Sequence, residues 1–274
     1  MTLFEILQQL FSYTFIVRAL IVGILVSLCA ALLGVTLVLK RYSMIGDGLS
    51  HVSFGALAIA MALNLAPLEV AIPIVTLAAF LLLRISENSH IKGDAAIALI
   101  SSSALAIGVI VISLTTGMNT DVCNYLFGSI LAMSKSDVYI SIATSLVVLV
   151  LYLLLYNKIF AITFDEGFAR ATGVKAGRYN TLIAVLTALV VVVGMRMMGA
   201  MLISSLIIFP ALTSMRVCKS FKSVVITSAV LSVVCFFVGI LISFAYSIPA
   251  GAGVVAVNLV AFCLFALLAR IMKR

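Results

Sequence analysis

The sequence predicts an all-α protein, a transmembrane bundle of about eight to nine spans, and three observations support this prediction. Apolar residues make up 65% of the 274 residues and charged residues only 9%, against about 45–50% and about 25% in an ordinary soluble domain. The apolar residues form runs that approach the length of a membrane-spanning helix. Most of the basic residues lie in every second segment that connects these runs, so they fall on one side of the membrane. Helices are therefore expected, because they satisfy their own backbone hydrogen bonds in lipid.

Nine apolar runs are candidate spans. In chain order they cover residues 15–39, 46–63, 67–83, 95–115, 138–156, 180–195, 198–215, 223–246 and 252–271. The sixth and seventh runs are nearly fused between Gly194 and Gly199, so a count of eight stays open. Residues 125–133 are apolar but too short to span, which predicts a surface or re-entrant helix.

The chain as a whole, residues 1–274, is predicted to form a single transmembrane domain. Residues 1–14 contain Glu5 and no basic cluster, and the run that follows is too long for a cleavable signal. Apolar residues recur at helical spacing in this stretch, which predicts a helix lying along the membrane interface.

The distribution of Lys and Arg predicts the orientation, because basic residues accumulate in cytoplasmic loops. With the N-terminus outside, three basic residues face outward: Arg18, Lys135 and Arg196. The other fourteen of the 17 face the cytoplasm: Lys40, Arg41, Arg84, Lys92, Lys158, Arg170, Lys175, Arg178, Arg216, Lys219, Lys222, Arg270, Lys273 and Arg274. The net charge of +8 is thus explained by topology, and no nucleic-acid partner is expected.

The chain lacks the sequence signatures of several enzyme classes. The chain has no G-x-x-x-x-G-K-[ST] phosphate-binding loop, so it is not expected to hydrolyse ATP by itself. It has no H-E-x-x-H zinc-protease motif and no G-x-S-x-G nucleophile motif. An enzyme is therefore not the expected class.

Asp47 and His51 are the polar residues that stand out, since they open the second span. Four residues apart on a helix, they lie on one face and can hold one divalent cation. Oxygen with nitrogen ligation suits zinc, manganese or ferrous iron better than copper(I). Two ligands are fewer than the four zinc prefers, and a homodimer would supply two of each residue. The alternative is an interfacial Asp that caps the helix, with His51 hydrogen-bonded to a neighbouring span.

One predicted cytoplasmic loop, residues 157–178, contains a second signal. Asp165 and Glu166 suit the first turn of a helix, and Gly173 suits the residue after its end. A short helix there would lie parallel to the membrane and present Phe168 to the cytoplasm. The alternative is a solvated loop whose helix satisfies its own hydrogen bonds and needs no partner.

With these residues identified, the chain resembles the permease subunits of the bacterial zinc/manganese/iron ABC importer family over essentially its whole length. The segment Arg41–His51 is similar to the family's R-x-x-x-x-G-D-x-L-S-H signature, and Phe164–Gly173 to its cytoplasmic coupling segment. Val193–Ala211 and Ser243–Gly253 resemble two further motifs, although Ser247 stands where an acid is frequent.

The resemblance implies a multi-pass protein of the bacterial plasma membrane that works as a pair of permease copies with separate cytoplasmic ATP-binding subunits. It implies that an extracellular or periplasmic metal-binding protein delivers Zn²⁺ or Mn²⁺, with Fe²⁺ as a further candidate. No intrinsic cofactor is implied, since ATP is bound by the partner subunit. The resemblance assigns the metal to Asp47 and His51. It also implies a role in ATPase coupling for Phe164, Asp165, Glu166, Phe168, Ala169 and Gly173.

Two rivals remain at this stage. An ion-coupled secondary transporter would use Asp47 and His51 as a relay and would need no ATPase, but the sequence has no evident inverted repeat. An intramembrane metalloenzyme would need a third protein ligand or a general base beside the pair, and the sequence offers none.

Overall fold

The computed structural model describes residues 13–88, 93–115 and 134–272, and every regular element in these ranges is a helix. The elements are α1 (Thr14–Leu39), α2 (Ile45–Ala62), α3 (Pro67–Asn88), α4 (Gly93–Thr115), α5 (Lys135–Leu154), α6 (Tyr156–Phe164), α7 (Glu166–Ala171), α8 (Ala176–Met198), α9 (Ala200–Val217), α10 (Phe221–Tyr246) and α11 (Ala250–Met272).

Nine of the described helices, all except α6 and α7, are long and apolar enough to cross a membrane. This confirms the predicted all-α bundle and decides between eight and nine spans. α8 and α9 are separate because Gly199 adopts φ 85° and ψ 162°, a conformation essentially restricted to glycine. The predicted helices at residues 1–14 and 125–133 lie almost entirely outside the described residues.

Helix α1 is at the centre of the bundle. It contacts α5, α8, α9 and α10, and 72% of its most apolar window is buried. Polar groups reinforce this packing: Ser232 on α10 donates a hydrogen bond of 2.9 Å to the carbonyl of Ser27. The Cys29 thiol likewise donates to the carbonyl of Ser145 on α5, at 3.3 Å. In lipid, no hydrophobic driving force brings helices together. Close packing at small residues and interhelical hydrogen bonds hold them together instead.

Two glycines, Gly34 and Gly55, allow close approaches between helix backbones. A Cβ atom at Gly34 on α1 would lie 2.0 Å from the backbone oxygen of Ile207 on α9. A Cβ atom at Gly55 on α2 would lie 2.7 Å from the backbone oxygen of Ala104 on α4. Backbone atoms cannot rotate aside as a side chain can, so both helix pairs require glycine at these positions.

The predicted short helix within Phe164–Gly173 is present as α7. The Asp165 carboxylate caps its first turn by accepting a hydrogen bond of 2.8 Å from the Phe168 N–H. Gly173 ends it with φ 85°, while the N–H of Val174 donates to the carbonyl of Ala169. This pattern is a Schellman motif, so both ends of α7 are fixed by local sequence.

A cluster of polar side chains fixes α7 to the rest of the bundle. Lys40, at the end of α1, lies 3.2 Å from a carboxylate oxygen of Glu166 and also donates to the Asn180 carbonyl. Asn180 donates in turn to Glu166 at 3.2 Å, and Arg170 lies 2.6 Å from its other oxygen. Burial opposes ionisation of Glu166, but the hydrogen bonds from Asn180, Arg170 and Lys40 hold its pKa below the ordinary 4.5.

At the opposite end of α8, Arg196 pairs with a buried carboxylate. Its guanidinium lies 3.8 Å from Asp137, which also closes a capping box with Ser134 at the start of α5. The pair joins the predicted outer ends of α5 and α8. Arg196 is therefore held by an ion pair at the end of α8 that is predicted to face outward.

We expect Gly34→Val to destabilise the bundle, because the added side chain would collide with the α9 backbone. Overpacking of this kind costs about 1–3 kcal/mol, and thermal unfolding of the detergent-purified protein would measure it. Gly177→Ala is the matched control, since a Cβ atom there meets no other atom within 4 Å. An equal melting temperature for Gly34→Val and Gly177→Ala would contradict the close approach.

The Glu166 cluster predicts a pH dependence. Since the pKa of Glu166 is lower in the folded protein than its ordinary 4.5, its ionised form stabilises the fold above that pH. This contribution is lost as the pH falls through the lowered pKa. The melting temperature of Glu166→Gln should therefore lie below that of the wild type at pH 7, and the gap should narrow at pH values below 4.5. A melting-temperature difference that stays constant with pH would show that the charge of Glu166 does not contribute to the stability of the fold.

Candidate metal-transit site

Asp47 and His51 lie in the first two turns of α2, on one face, as their spacing predicts. The His51 Nε2 and Asp47 Oδ2 atoms are 3.7 Å apart, which is beyond hydrogen-bond range. Two ligands about 2.1 Å from a tetrahedral ion are separated by about 3.4 Å. A small rotation of either side chain would therefore bring both atoms into position around one ion.

The glycines on either side of Asp47, Gly46 and Gly48, allow two neighbouring helices to approach α2. A Cβ atom at Gly46 would lie 2.7 Å from the Ile207 side chain of α9. A Cβ atom at Gly48 would lie 2.6 Å from Ile97 of α4. Each glycine thus admits one neighbouring helix, and Asp47 lies where α9 and α4 approach α2 from different sides.

A cavity of about 260 Å³ lies between α2 and α4. Asp47 and His51 line it together with Asp94, in the first turn of α4, and two serines, Ser101 and Ser102. Both carboxylates, the imidazole and both hydroxyls can serve as ligands for a hard or borderline cation. This cavity therefore offers a cation more polar ligands than Asp47 and His51 alone.

A second cavity, of about 550 Å³, lies between α9 and α11 and also reaches Asp47. The Ser204 hydroxyl on its wall donates to Asp47 Oδ1 at 3.3 Å. Its other walls are mostly apolar, with Met201 and Gly251 near the first turns of α9 and α11. Asp47 is the residue that lines both cavities, with Oδ1 hydrogen-bonded on the α9 side and Oδ2 nearest to His51.

The described chain supplies an incomplete ligand set. No group of three or more His, Cys, Asp or Glu side chains within reach of one ion occurs in the described ranges. Nδ1 of His51 is buried and finds no hydrogen-bond partner among the described residues. Water or another chain could supply further ligands, and weak coordination suits a site that must release its ion.

The residues assigned to ATPase coupling divide into two groups. Phe164 and Phe168 project outward, with 61% and 65% of their surfaces exposed. The others shape α7: Asp165 caps it, Ala169 is buried beneath it, Gly173 ends it, and Glu166 turns inward to Lys40. The structure therefore leaves Phe164 and Phe168 as the exposed aromatic rings of this segment.

Three residues of these clusters were not singled out by sequence reasoning. Lys40 counted only toward the charge asymmetry, and neither Asp94 nor Ser204 was identified as a site residue. Nothing in the local sequence links these residues to their partners, because each contact joins different helices.

The comparisons with known proteins agree over nearly the whole chain. The manganese import system permease protein ScaB of Streptococcus gordonii is 32% identical over 258 residues, which cover 94% of this chain and 92% of the relative. The high-affinity zinc uptake system membrane protein ZnuB of Haemophilus influenzae is 30% identical, over 90% of this chain and 94% of the relative.

The fold has a solved counterpart. A chain of PsaBC from Streptococcus pneumoniae, solved in complex with Fab, is 31% identical and superposes with a TM-score of 0.86, covering 96% of this chain and 95% of that one. These matches and the nine apolar helices make this a multi-pass protein of the bacterial plasma membrane. The model of the ABC 3 transport family matches residues 12–269, and the chain belongs to that family.

Proposed function

We propose that this chain is the permease subunit of an ATP-driven importer of a divalent transition metal, Zn²⁺ or Mn²⁺, with Fe²⁺ as a further candidate. The observation that supports it best is the position of Asp47 and His51. Both residues line the cavity between α2 and α4, and Asp47 also lines the cavity between α9 and α11. An ion held by this pair could be reached from either cavity. Membership of an ABC transport family favours this function over an ion-coupled secondary transporter.

The proposed assembly contains two copies of the chain, two cytoplasmic ATP-binding subunits, and an extracellular or periplasmic metal-binding protein. Two copies would bring together two Asp47 and two His51 side chains, which supplies the four ligands that one copy lacks. ATP hydrolysis belongs to the separate subunits, since the chain has no phosphate-binding loop. The chain is thus a transport subunit and not an enzyme.

The proposed docking point for the ATP-binding subunit is the outward surface of α6 and α7, formed by Phe164 and Phe168. Aromatic residues at the centre of an interface contribute much of its binding energy. Phe164 is also supported from within, because its ring lies 5.0 Å from Phe160 and 5.7 Å from Phe221 between centroids. This support keeps the exposed ring in place before a partner binds.

The first test replaces Asp47 or His51 with Ala. Each variant should lose uptake of radiolabelled Mn²⁺ and Zn²⁺ in proteoliposomes that contain the complete transporter, because the ion loses one of its protein ligands. Co-purification with the ATP-binding subunit should be unchanged, since neither residue lies near α7.

The matched control is Glu69→Gln, which removes an exposed carboxylate in the first turn of α3, outside both cavities. This variant should transport as the wild type does. Undiminished uptake by the Asp47→Ala and His51→Ala variants would refute the assignment of the metal to this pair.

The second test replaces Phe168 with Ala. The variant should co-purify with the ATP-binding subunit at most weakly, with a loss of about 2 kcal/mol or more, typical of a buried aromatic contact. Its melting temperature should stay close to that of the wild type, because 65% of the ring is exposed in the isolated chain.

Tyr139→Ala provides the control, since Tyr139 is an exposed aromatic residue, 73% accessible, on the predicted outer half of α5. It should leave assembly intact. Equal retention of the ATP-binding subunit by Phe168→Ala and Tyr139→Ala would argue against α7 as the docking helix.

A further inference from the structure

We propose that Asp94 is a release-side ligand, the carboxylate to which the metal ion passes from Asp47 and His51 on its way to the cytoplasm. This inference rests on the proposed function and assigns a role to a residue outside the Asp47–His51 signature. It follows from the positions of the two cavities along the membrane, from the ligands within them, and from the lack of an ion pair between Asp94 and any described basic residue.

The larger cavity lies toward the predicted outer side. Met201 and Gly251, on its wall, belong to the first turns of α9 and α11. Both helices begin on the outer side in the orientation that the basic residues predict. Apart from Asp47, the polar side chains that line this cavity are Ser204 and Ser205. An incoming ion would therefore meet its first carboxylate at Asp47.

The smaller cavity lies toward the predicted cytoplasmic side. Asp94 is in the first turn of α4, which follows a predicted cytoplasmic loop, and Ile97 and Ala98 line the same cavity one turn further along. Asp47 and His51 form the opposite wall. An ion that leaves this pair through the smaller cavity thus reaches Asp94 before it reaches the cytoplasm.

The charges favour a cation at Asp94. Three other described carboxylates are already engaged: Asp137 with Arg196, Glu166 with Lys40, and Asp165 with the first turn of α7. Asp94 is exposed and forms no ion pair with any described residue. A carboxylate with no basic partner among the described residues, on the wall of the cavity that Asp47 and His51 also line, attracts a divalent cation.

The test measures uptake of radiolabelled Mn²⁺ by the complete transporter in proteoliposomes. Asp94→Asn should lower the maximal rate about tenfold and leave KM close to the wild-type value, because loading at Asp47 and His51 precedes the affected step. Asp94→Glu should restore the rate, while Glu69→Gln should behave as the wild type. Equilibrium Mn²⁺ binding by the detergent-purified complex should be unchanged in Asp94→Asn.

Each other outcome is informative. A wild-type rate for Asp94→Asn alongside an inactive Asp47→Ala would overturn this inference and leave the proposed function standing. Full activity of Asp47→Ala would instead refute the proposed function. A raised KM at an unchanged maximal rate would place Asp94 before the loading step, which also contradicts the inference.

A second variant decides the matter if Asp94→Asn fails to assemble. Ala98→Lys leaves Asp94 in place but sets an ammonium group one helical turn away, on the wall of the same cavity. It should lower the maximal rate as Asp94→Asn would. A wild-type rate for Ala98→Lys would overturn the inference.

Discussion

The close approach of three helices around Gly46, Asp47 and Gly48 is the constraint on which the rest of the site depends. Because Gly46 admits Ile207 of α9 and Gly48 admits Ile97 of α4, α2 is held between these two helices. The carboxylate between the two glycines then reaches the cavity on each side of α2. A larger residue at either glycine would push one helix away and would separate Asp47 from that cavity.

Much of the fold could be predicted because its signals are local. The apolar runs indicate eight or nine spans, the four-residue spacing places Asp47 and His51 on one face, and Asp165 and Gly173 mark the ends of α7. Each of these features depends on residues within a few turns of one another. By contrast, the contact of Ser204 with Asp47 joins residues 157 positions apart in sequence, and no local pattern could have indicated it.

The position of Glu166 is a second feature that local sequence could not predict. The family resemblance implied a role in ATPase coupling for Glu166, and in the structure its carboxylate turns inward to Lys40 and Asn180. The inward position depends on where α1 ends and α8 begins, which the loop sequence does not contain. Phe164 and Phe168 have no such polar partners and remain exposed.

The same Lys40 also connects the two ends of the proposed mechanism. It follows the last residue of α1, and only four residues separate it from the start of α2. The intervening turn is stiff: Arg41 adopts φ 61°, and the N–H of Tyr42 donates to the carbonyl of Leu37 at 2.8 Å, which closes a Schellman motif. Any displacement of α7 that moves Glu166 therefore acts on Lys40, and through this short turn on the first turn of α2. Since Asp47 lies in that turn, this short connection links the proposed docking surface to the proposed metal ligands.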